Sequence, residues 1–572
     1  MSTSLSPKHE LGQSSWLYLL IHWLLLKSLL HTEVLSQERI IPPSTGEIKT
    51  VPLSILDCTV VRFSITSAAW IYDPPVSQAA KQAADPSHLV ASFKQTIVSY
   101  PQWAGQLGWS AYDPTNSSGH THRHGRVVLR YGAGEQEGDP GFAFCVARHS
   151  AKVSDIVPSP AARAQDGNGI WQIDKQLPSK DLLPREAVSW QGDTRFEGLP
   201  GVAVQVTLFA DRGYAVAMKI SHVLGDATTL LTFMHDWAAT NRAMAAGTTL
   251  LPKTQPVFDP SLLDGKAAGD INACEPDLEI IRKARNLPLH RYDWFRSGGP
   301  DCPSYFLPST VRPPDLQAAF PEPPHTPGPP IPWKEWDLSV PVKHSIIYFS
   351  PNEIQQIHAQ ASFKVLSDQQ PQQRLSKLDA LLAHVWACIL RARQLHVDET
   401  AFLDITFSFR ARLGLPSSFL GSPIRLAAVE ASAAAAHAND LPALARRIRT
   451  TLGLFDGAQA CAGILHDLAH EPNAQNIWAT FLGRRHTLVT SWTHLGLYDV
   501  DFTGRQAPRY VDAAMPSCDG LLQVSESAPL DGVARSEAGK GDWARDGASV
   551  SLHLTGDVME RLWKDPLLRS YA

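Results

Sequence analysis

The stretch KISHVLGDATT (219–229) places a histidine, a glycine and an aspartate where a strand pattern gives way to a helix pattern. An imidazole with its ordinary pKa near ~6.5 is neutral at neutral pH and can accept a proton, so His222 is a candidate general base. Asp226, four residues on, has two uses. It can hold the histidine's loop in place, or it can cap the next helix by accepting from the amides of Thr228 or Thr229. Gly225 permits the tight turn between them. A lone HxxxD spacing is common, and taken alone it is better explained by a packed histidine beside a capping aspartate.

The flanking elements decide where these side chains stand. GVAVQVTLF (201–209), then DRG, then YAVAMKIS (214–221) predicts a hairpin. Tyr214, Val216, Met218 and Ile220 share one face of its second strand, and the period of two carries His222 onto that face. ATTLLTFMHDWAATNRAM (227–244) predicts the helix behind Asp226. Upstream, 51–73 suits strands. SHLVASFKQTIVSYP (87–101) spaces Leu89, Phe93 and Ile97 four apart, as an amphipathic helix does before Pro101 ends it. Downstream, Ser350, Pro351 and Glu353 announce a helix within 344–361. Ser376 and Asp379 announce another within 374–395, with Leu378, Leu382, Val385 and Ile389 inward. This strand-then-helix order recurs in both halves, as two similar α/β domains require. Between them, 303–334 is too rich in proline for a helix or a central strand and reads as a long, stiff connection.

The totals narrow the function. At 572 residues the chain exceeds one ordinary core. A net charge of −5 without a basic stripe gives nucleic-acid binding no support. Seven scattered cysteines without a CxxC pair argue against a disulfide framework or a zinc site and for the cytoplasm. His120, His122 and His124 alternate in a polar loop with no carboxylate or cysteine partner nearby, so they read as solvated, and no metal and no bound cofactor is expected. Residues 16–30, WLYLLIHWLLLKSLL, are interrupted by His22, Lys27 and Ser28 and fall short of the ~18–20 apolar residues of a comfortable span. They fit a membrane-associating helix or an extension with no part in the fold. There is no GxSxG elbow, HExxH or phosphate loop, which disfavours a serine esterase and a metalloprotease.

Several further stretches, in order, carry a resemblance. LSILD (53–57), YPQWAGQL (100–107), the HxxxD element, LSKLDALLAHVWACILRAR (375–393), FSFRARLGLPSSFLGSPI (407–424), SWTHLGLYDVDFTGRQAP (491–508) and VMERLWKDPLL (558–568) are together similar to the BAHD acyltransferases, which use acyl-CoA. The resemblance implies an α/β fold of two similar chloramphenicol-acetyltransferase-like domains, each a mixed sheet with flanking helices, joined by a long crossover loop. The expected limits are an apolar extension at 1–47, a first domain at 48–255, the proline-rich crossover at 256–340 and a second domain at 341–572. It implies that His222 is the base at the domain interface. Asp226 would orient the loop through an arginine that the sequence does not identify. Thr490 and Trp492 would line the channel and offer oxyanion donors, although a strand with a buried tryptophan explains them as well. Asp501, Gly504 and Arg505 would form a structural loop, and Arg505 reads as a surface arginine or a contact to a CoA phosphate. Arg410 and Arg412 read as structural, and His384 and His396 as ordinary packed or polar residues. The co-substrate would be acyl-CoA, acetyl-CoA by default, and the acceptor a small hydroxylated metabolite; a monomer suffices.

Three departures mark the chain. Ala227 follows Asp226 where the family has glycine, DFTGR (501–505) replaces DFGWG, and Gly421-Ser422 replaces Gly-Asn. They resemble the fungal secondary-metabolism branches. Two other readings stay open: a condensation-type enzyme that uses a carrier-protein thioester, and a non-catalytic binder of small molecules.

Overall fold

A computed structural model describes residues 32–44, 46–62, 65–112, 119–134, 138–191, 195–248, 255–319, 328–363, 374–535 and 541–572. The apolar stretch 16–30 lies outside them. No helix among the described residues is long and apolar enough to cross a membrane.

Two mixed sheets form the frame. The first runs in the order Thr32–Ile40, Phe142–His149, Val202–Phe209, Tyr214–Ile220, Thr66–Tyr72 and Tyr510–Asp512. The second runs Ile424–Ser432, Thr400–Ser408, His486–Trp492, Leu521–Glu526, Ala548–Thr555, Val342–Phe349 and Ile170–Trp171. Each sheet thus ends in a short strand supplied by the other half of the chain, which ties the two together. Helices Pro86–Thr96 and Ala227–Ala245 pack together beside the first sheet, and Leu89, Phe93, Phe233 and Trp237 join one core with Trp70, Val204 and Met218. Pro351–Ala361, Lys377–Ala392 and Leu441–Gly453 contribute in the same way to a second core with Leu403, Val489 and Leu552. The expected pair of mixed sheets with flanking helices is the observed fold.

The hairpin appears in the expected register, with Val202 opposite Ile220 and Leu208 opposite Tyr214. Both capping boxes form: Ser350 with Glu353, and Ser376 with Asp379. Three expectations need correction. Within 51–73 the chain forms strand Lys49–Pro52, then helix Ile55–Thr59, then strand Thr66–Tyr72; a capping box between Ser54 and Asp57 starts the helix inside an apolar run. Residues 32–40, placed in the extension, form an edge strand on Phe142–His149. Seven of its nine residues point to solvent, so it has no apolar alternation to read and is held by backbone hydrogen bonds. The proline-rich connection holds short helices at Leu307–Thr310 and Pro314–Ala319, where proline occupies a first helical turn that needs no amide donor. Its Trp333 joins a small aromatic core with Tyr292 and Trp294 upstream and Phe481 from the second half.

Candidate active site

The strand Tyr214–Ile220 ends two residues before His222, which stands in the following turn, so the period of two stops short of it. The turn is held from several sides. Thr66 Oγ1 donates to the Gly225 carbonyl (2.8 Å), and a Cβ on Gly225 would lie 2.5 Å from Thr229 Cγ2. Asp226 then caps helix Ala227–Ala245, its Oδ1 accepting from the Thr229 amide at 3.0 Å.

The same carboxylate has a second partner from the other half of the chain. Arg410 donates through Nη1 to Asp226 Oδ2 (2.6 Å) and through Nη2 to Oδ1 (3.0 Å). Its remaining donors reach Thr229 Oγ1 and the carbonyls of Gly421 and Phe419. Both members of the pair are buried, with side chains 9% and 7% exposed. A two-point contact of this kind fixes direction as well as distance. Arg410 thus supplies Asp226 with an arginine partner that the sequence did not identify.

The loop that includes Gly421 and Ser422 completes the enclosure. Gly421 has φ = +132°, and a Cβ there would come within 3.1 Å of Asp57 Oδ1. Its carbonyl accepts from the Asp226 amide (3.2 Å) and from Thr229 Oγ1 (2.9 Å). Ser422 Oγ lies 2.5 Å from the His222 carbonyl oxygen and 3.0 Å from His222 Nδ1. The hydroxyl has one proton, which goes to the carbonyl, because a carbonyl oxygen can only accept. Ser422 Oγ then accepts at Nδ1, so Nδ1 carries the ring proton and Nε2 keeps its lone pair. The Ser422 amide in turn donates to Asp57 Oδ1 at 2.6 Å. Burial pushes the Asp57 carboxyl up to about 7, against the lowering effect of hydrogen bonds from Ser54 and Ser422.

Burial also lowers the pKa of His222, with the nearby Asp226 charge opposing it. The ring is thus held neutral, Nδ1-protonated and half-buried, where loops from the two halves meet. That is the state a general base requires.

Thr490 and Trp492 lie on strand His486–Trp492 of the second sheet. Trp492 is buried in the first core together with Val223 and Leu224, the neighbours of His222, while Thr490 is half-buried. Neither belongs to the hydrogen-bonded set joining Asp226, Thr229, Arg410 and Gly421. The DFTGR loop stands elsewhere. Asp501 Oδ1 accepts from the amides of Thr503 and Gly504, and Arg242 donates to the Asp501 carbonyl. Asn241 donates to the Phe502 carbonyl (2.8 Å), and Gly504 and Arg505 have positive φ, Arg505 exposed. Asn241 is fifteen residues along the helix from Asp226, or about 22 Å at the helical rise.

Among the other histidines, His120 meets Asp264 (2.9 Å) and Asn272, and His124 meets Asp315 (3.1 Å) and Asn473. For these two the solvated reading fails, because folding brings distant partners that local composition does not show, while His122 is exposed. Arg412 bridges Phe455, Ser408 and Asp456. His384 is buried against the Leu568 carbonyl, and His396 is exposed. Sequence reasoning missed the parts played by Ser422 and Asp57, although the segments holding them, LSILD and the one ending in Gly421-Ser422, stood out in the sequence. It also singled out nothing at His290, Asp404 and His486, whose polar atoms converge in the second half.

Comparison with known proteins bears on the fold and the family. Acyltransferase AFT15-1 of Alternaria alternata is 26% identical over 512 residues, which span 88% of this chain and 90% of its own length. Acyltransferase abl6 of Leptosphaeria maculans is 24% identical over 547 residues, 94% of this chain and 98% of its own. TRI101 of F. sporotrichioides, solved with coenzyme A and T-2, shares the fold at a TM-score of 0.57 and 15% identity, covering 91% of this chain and 99% of its own. Vinorine synthase shares it at 0.53 and 17%, covering 93% and 96%. The model of the Transferase family matches residues 171–286 and 320–528, more than half of the chain, and the protein therefore belongs to that family as an acyltransferase of the BAHD type.

Proposed function

We propose that the protein moves an acyl group, acetyl by default, from acyl-CoA to a hydroxyl or amine of a small secondary metabolite such as a terpenoid, alkaloid or polyketide, with His222 as the base. The observation that carries this reading is the Ser422 contact, which leaves His222 Nε2 with its lone pair at the meeting of the two halves. The similarity to TRI101, solved with coenzyme A, favours a CoA thioester over a carrier-protein donor.

In the proposed step Nε2 takes the proton of the acceptor O–H or N–H as that atom bonds to the thioester carbon. The C–S bond then breaks, and the imidazolium returns the proton to the departing thiolate, leaving the ester or amide and free CoA. A positioned base contributes ~10²–10⁴-fold. Thr490, half-buried and bearing a hydroxyl, is the better oxyanion donor of the two candidates; Trp492 forms wall. Asp226 and Arg410 position the loop without touching substrate. Donor and acceptor enter from opposite faces of the interface, the monomer is the working unit, and seven scattered cysteines without a CxxC pair suit the cytoplasm.

The test is release of free CoA thiol from acetyl-CoA in the presence of hydroxylated acceptors, followed by replacement of His222 by alanine. Turnover should fall ~10²–10⁴-fold with the melting temperature and its rise on adding acetyl-CoA retained. The acid limb of kcat/KM should lie below the ordinary histidine value, because burial lowers the pKa of His222. Unchanged turnover in a folded H222A protein refutes the base.

A further inference from the structure

Three residues outside the acyl-transfer site converge on one point. His290 comes from the crossover, just before strand Tyr292–Asp293. Asp404 lies within strand Thr400–Ser408, and His486 opens the parallel neighbour His486–Trp492. In that pairing Phe402 stands opposite His486, and Asp404, two residues on, shares the face of Phe402. The two strands therefore direct Asp404 and His486 to the same side, where the crossover delivers His290.

The geometry is that of a shared ligand point. Asp404 Oδ1 faces His290 Nε2 at 3.0 Å, and Oδ2 faces His486 Nδ1 at 3.3 Å. One nitrogen or oxygen of each residue lies within 4.8 Å of the other two. The Asp404 side chain is fully buried, and those of His486 and His290 are 2% and 14% exposed. His290 Nε2 and Asp404 Oδ1 have no hydrogen-bond partner beyond their contact with each other. This pair can share a proton or, when Nε2 is deprotonated, both atoms can offer lone pairs to a cation. Zinc bonds of about 2.0–2.1 Å at tetrahedral angles put neighbouring ligand atoms roughly 3.3–3.4 Å apart, inside the 4.8 Å within which one ligand atom of each residue lies.

The surroundings hold the set in place. Thr480 Oγ1 donates to Asp404 Oδ2 (3.0 Å), the orienting contact a ligating carboxylate commonly has. Phe402 stacks on His486 (centroids 4.7 Å apart) and Tyr292 on His290 (5.4 Å), while Phe481 meets His486 edge-on. These rings limit water and fix both imidazole planes.

We propose that His290, Asp404 and His486 bind a divalent cation of the zinc class, which fastens the crossover to the second sheet. Two imidazoles and one carboxylate form a ligand set that suits such a cation. Its role is structural. Asp404 is about 13 Å along the strand from Ser408, beyond which the chain reaches Arg410, so the ion stands apart from His222. The inference does not depend on the acyl-transfer reading.

The test uses the full chain without a histidine tag, loaded with Zn²⁺ and dialysed against metal-free buffer. Mass spectrometry of metal content should find about one zinc per chain in the wild type and less than about a tenth in His290→Gln and His486→Gln. Zn²⁺ should raise the melting temperature of the wild type, and neither variant should respond. His290 is at the rim of the cluster, so H290Q keeps the test readable if Asp404→Asn fails to fold. Zinc below about a tenth per chain with an unmoved melting temperature overturns the proposal. So does equal zinc content in wild type and both variants. In either case the cluster is a proton-sharing His–Asp–His set alone.

Discussion

The contact between Asp226 and Arg410 predicts a thermodynamic cycle. Asp226→Asn keeps a cap, since the amide oxygen can still accept from the Thr229 amide, but it removes the charge opposite a buried guanidinium. Removing one partner of a buried pair costs ~3–5 kcal/mol. Arg410 retains Thr229 Oγ1 and the carbonyls of Phe419 and Gly421, which places D226N near the lower end. Asp226→Ala also loses the cap, worth about 1 kcal/mol more. Arg410→Met leaves the Asp226 carboxylate buried and unpaired, with a cost in the same ~3–5 kcal/mol range. The double variant D226N/R410M has no unpaired charge, so its loss falls short of the sum of the single losses by ~2–3 kcal/mol. Urea denaturation of the four proteins at pH 7 measures the coupling. kcat/KM, measured alongside, should stay low in the double variant, because recovered stability does not restore the aim of the loop. Additivity to within ~0.5 kcal/mol, or a D226N protein as stable as wild type, refutes the account of the pair.

Three further outcomes follow from particular contacts. Ser422→Ala removes the acceptor at His222 Nδ1 while the backbone bond to Asp57 survives; a lost hydrogen bond of ~0.5–1.5 kcal/mol corresponds to a ~2–12-fold fall in kcat with KM little changed. Equal kcat in S422A removes the serine from the mechanism. Phe502→Ala opens a cavity beside Tyr72 and Trp237 and should cost ~3–5 kcal/mol in denaturation. The folded fraction should keep its kcat, because the loop packs at the far end of the helix; a specific loss of kcat refutes the structural role of DFTGR. Burial pushes His384 down to about 4, with its hydrogen bond to Leu568 opposing. The unfolded chain takes up this proton near ~6.5 and the native chain only near 4, so stability present at pH 8 is lost as pH falls, by about 2 kcal/mol at pH 5. Denaturation of His384→Asn at both pH values should show the variant gaining that amount on wild type at pH 5. An equal difference at the two pH values contradicts it.

Much of the fold could be read from the chain because its signals are local. A serine three residues before an acid announced the helices at 351 and 377, and alternation announced the Val202–Phe209 hairpin, since a cap or a strand face is set by neighbours within four residues. The same rule misled where local pattern and tertiary use diverge. The strand Thr32–Ile40 exposes most of its side chains, so its only signature is a row of backbone hydrogen bonds to a distant partner. The helix Ile55–Thr59 sits inside an apolar run that reads as strand, and only its capping box betrays it.

At the site, the HxxxD spacing and the ordered motifs of the chain were enough to nominate His222 and Asp226. The working geometry was not in the sequence. Asp226 meets Arg410 across 184 residues and His222 meets Ser422 across 200, contacts that no spacing rule encodes. The same holds for His290, Asp404 and His486, each unremarkable in its own stretch. The reason is physical: caps, turns and strand faces depend on residues that are already neighbours, whereas a buried ion pair, a ring tautomer or a ligand cluster depends on which surfaces two folded sheets bring together.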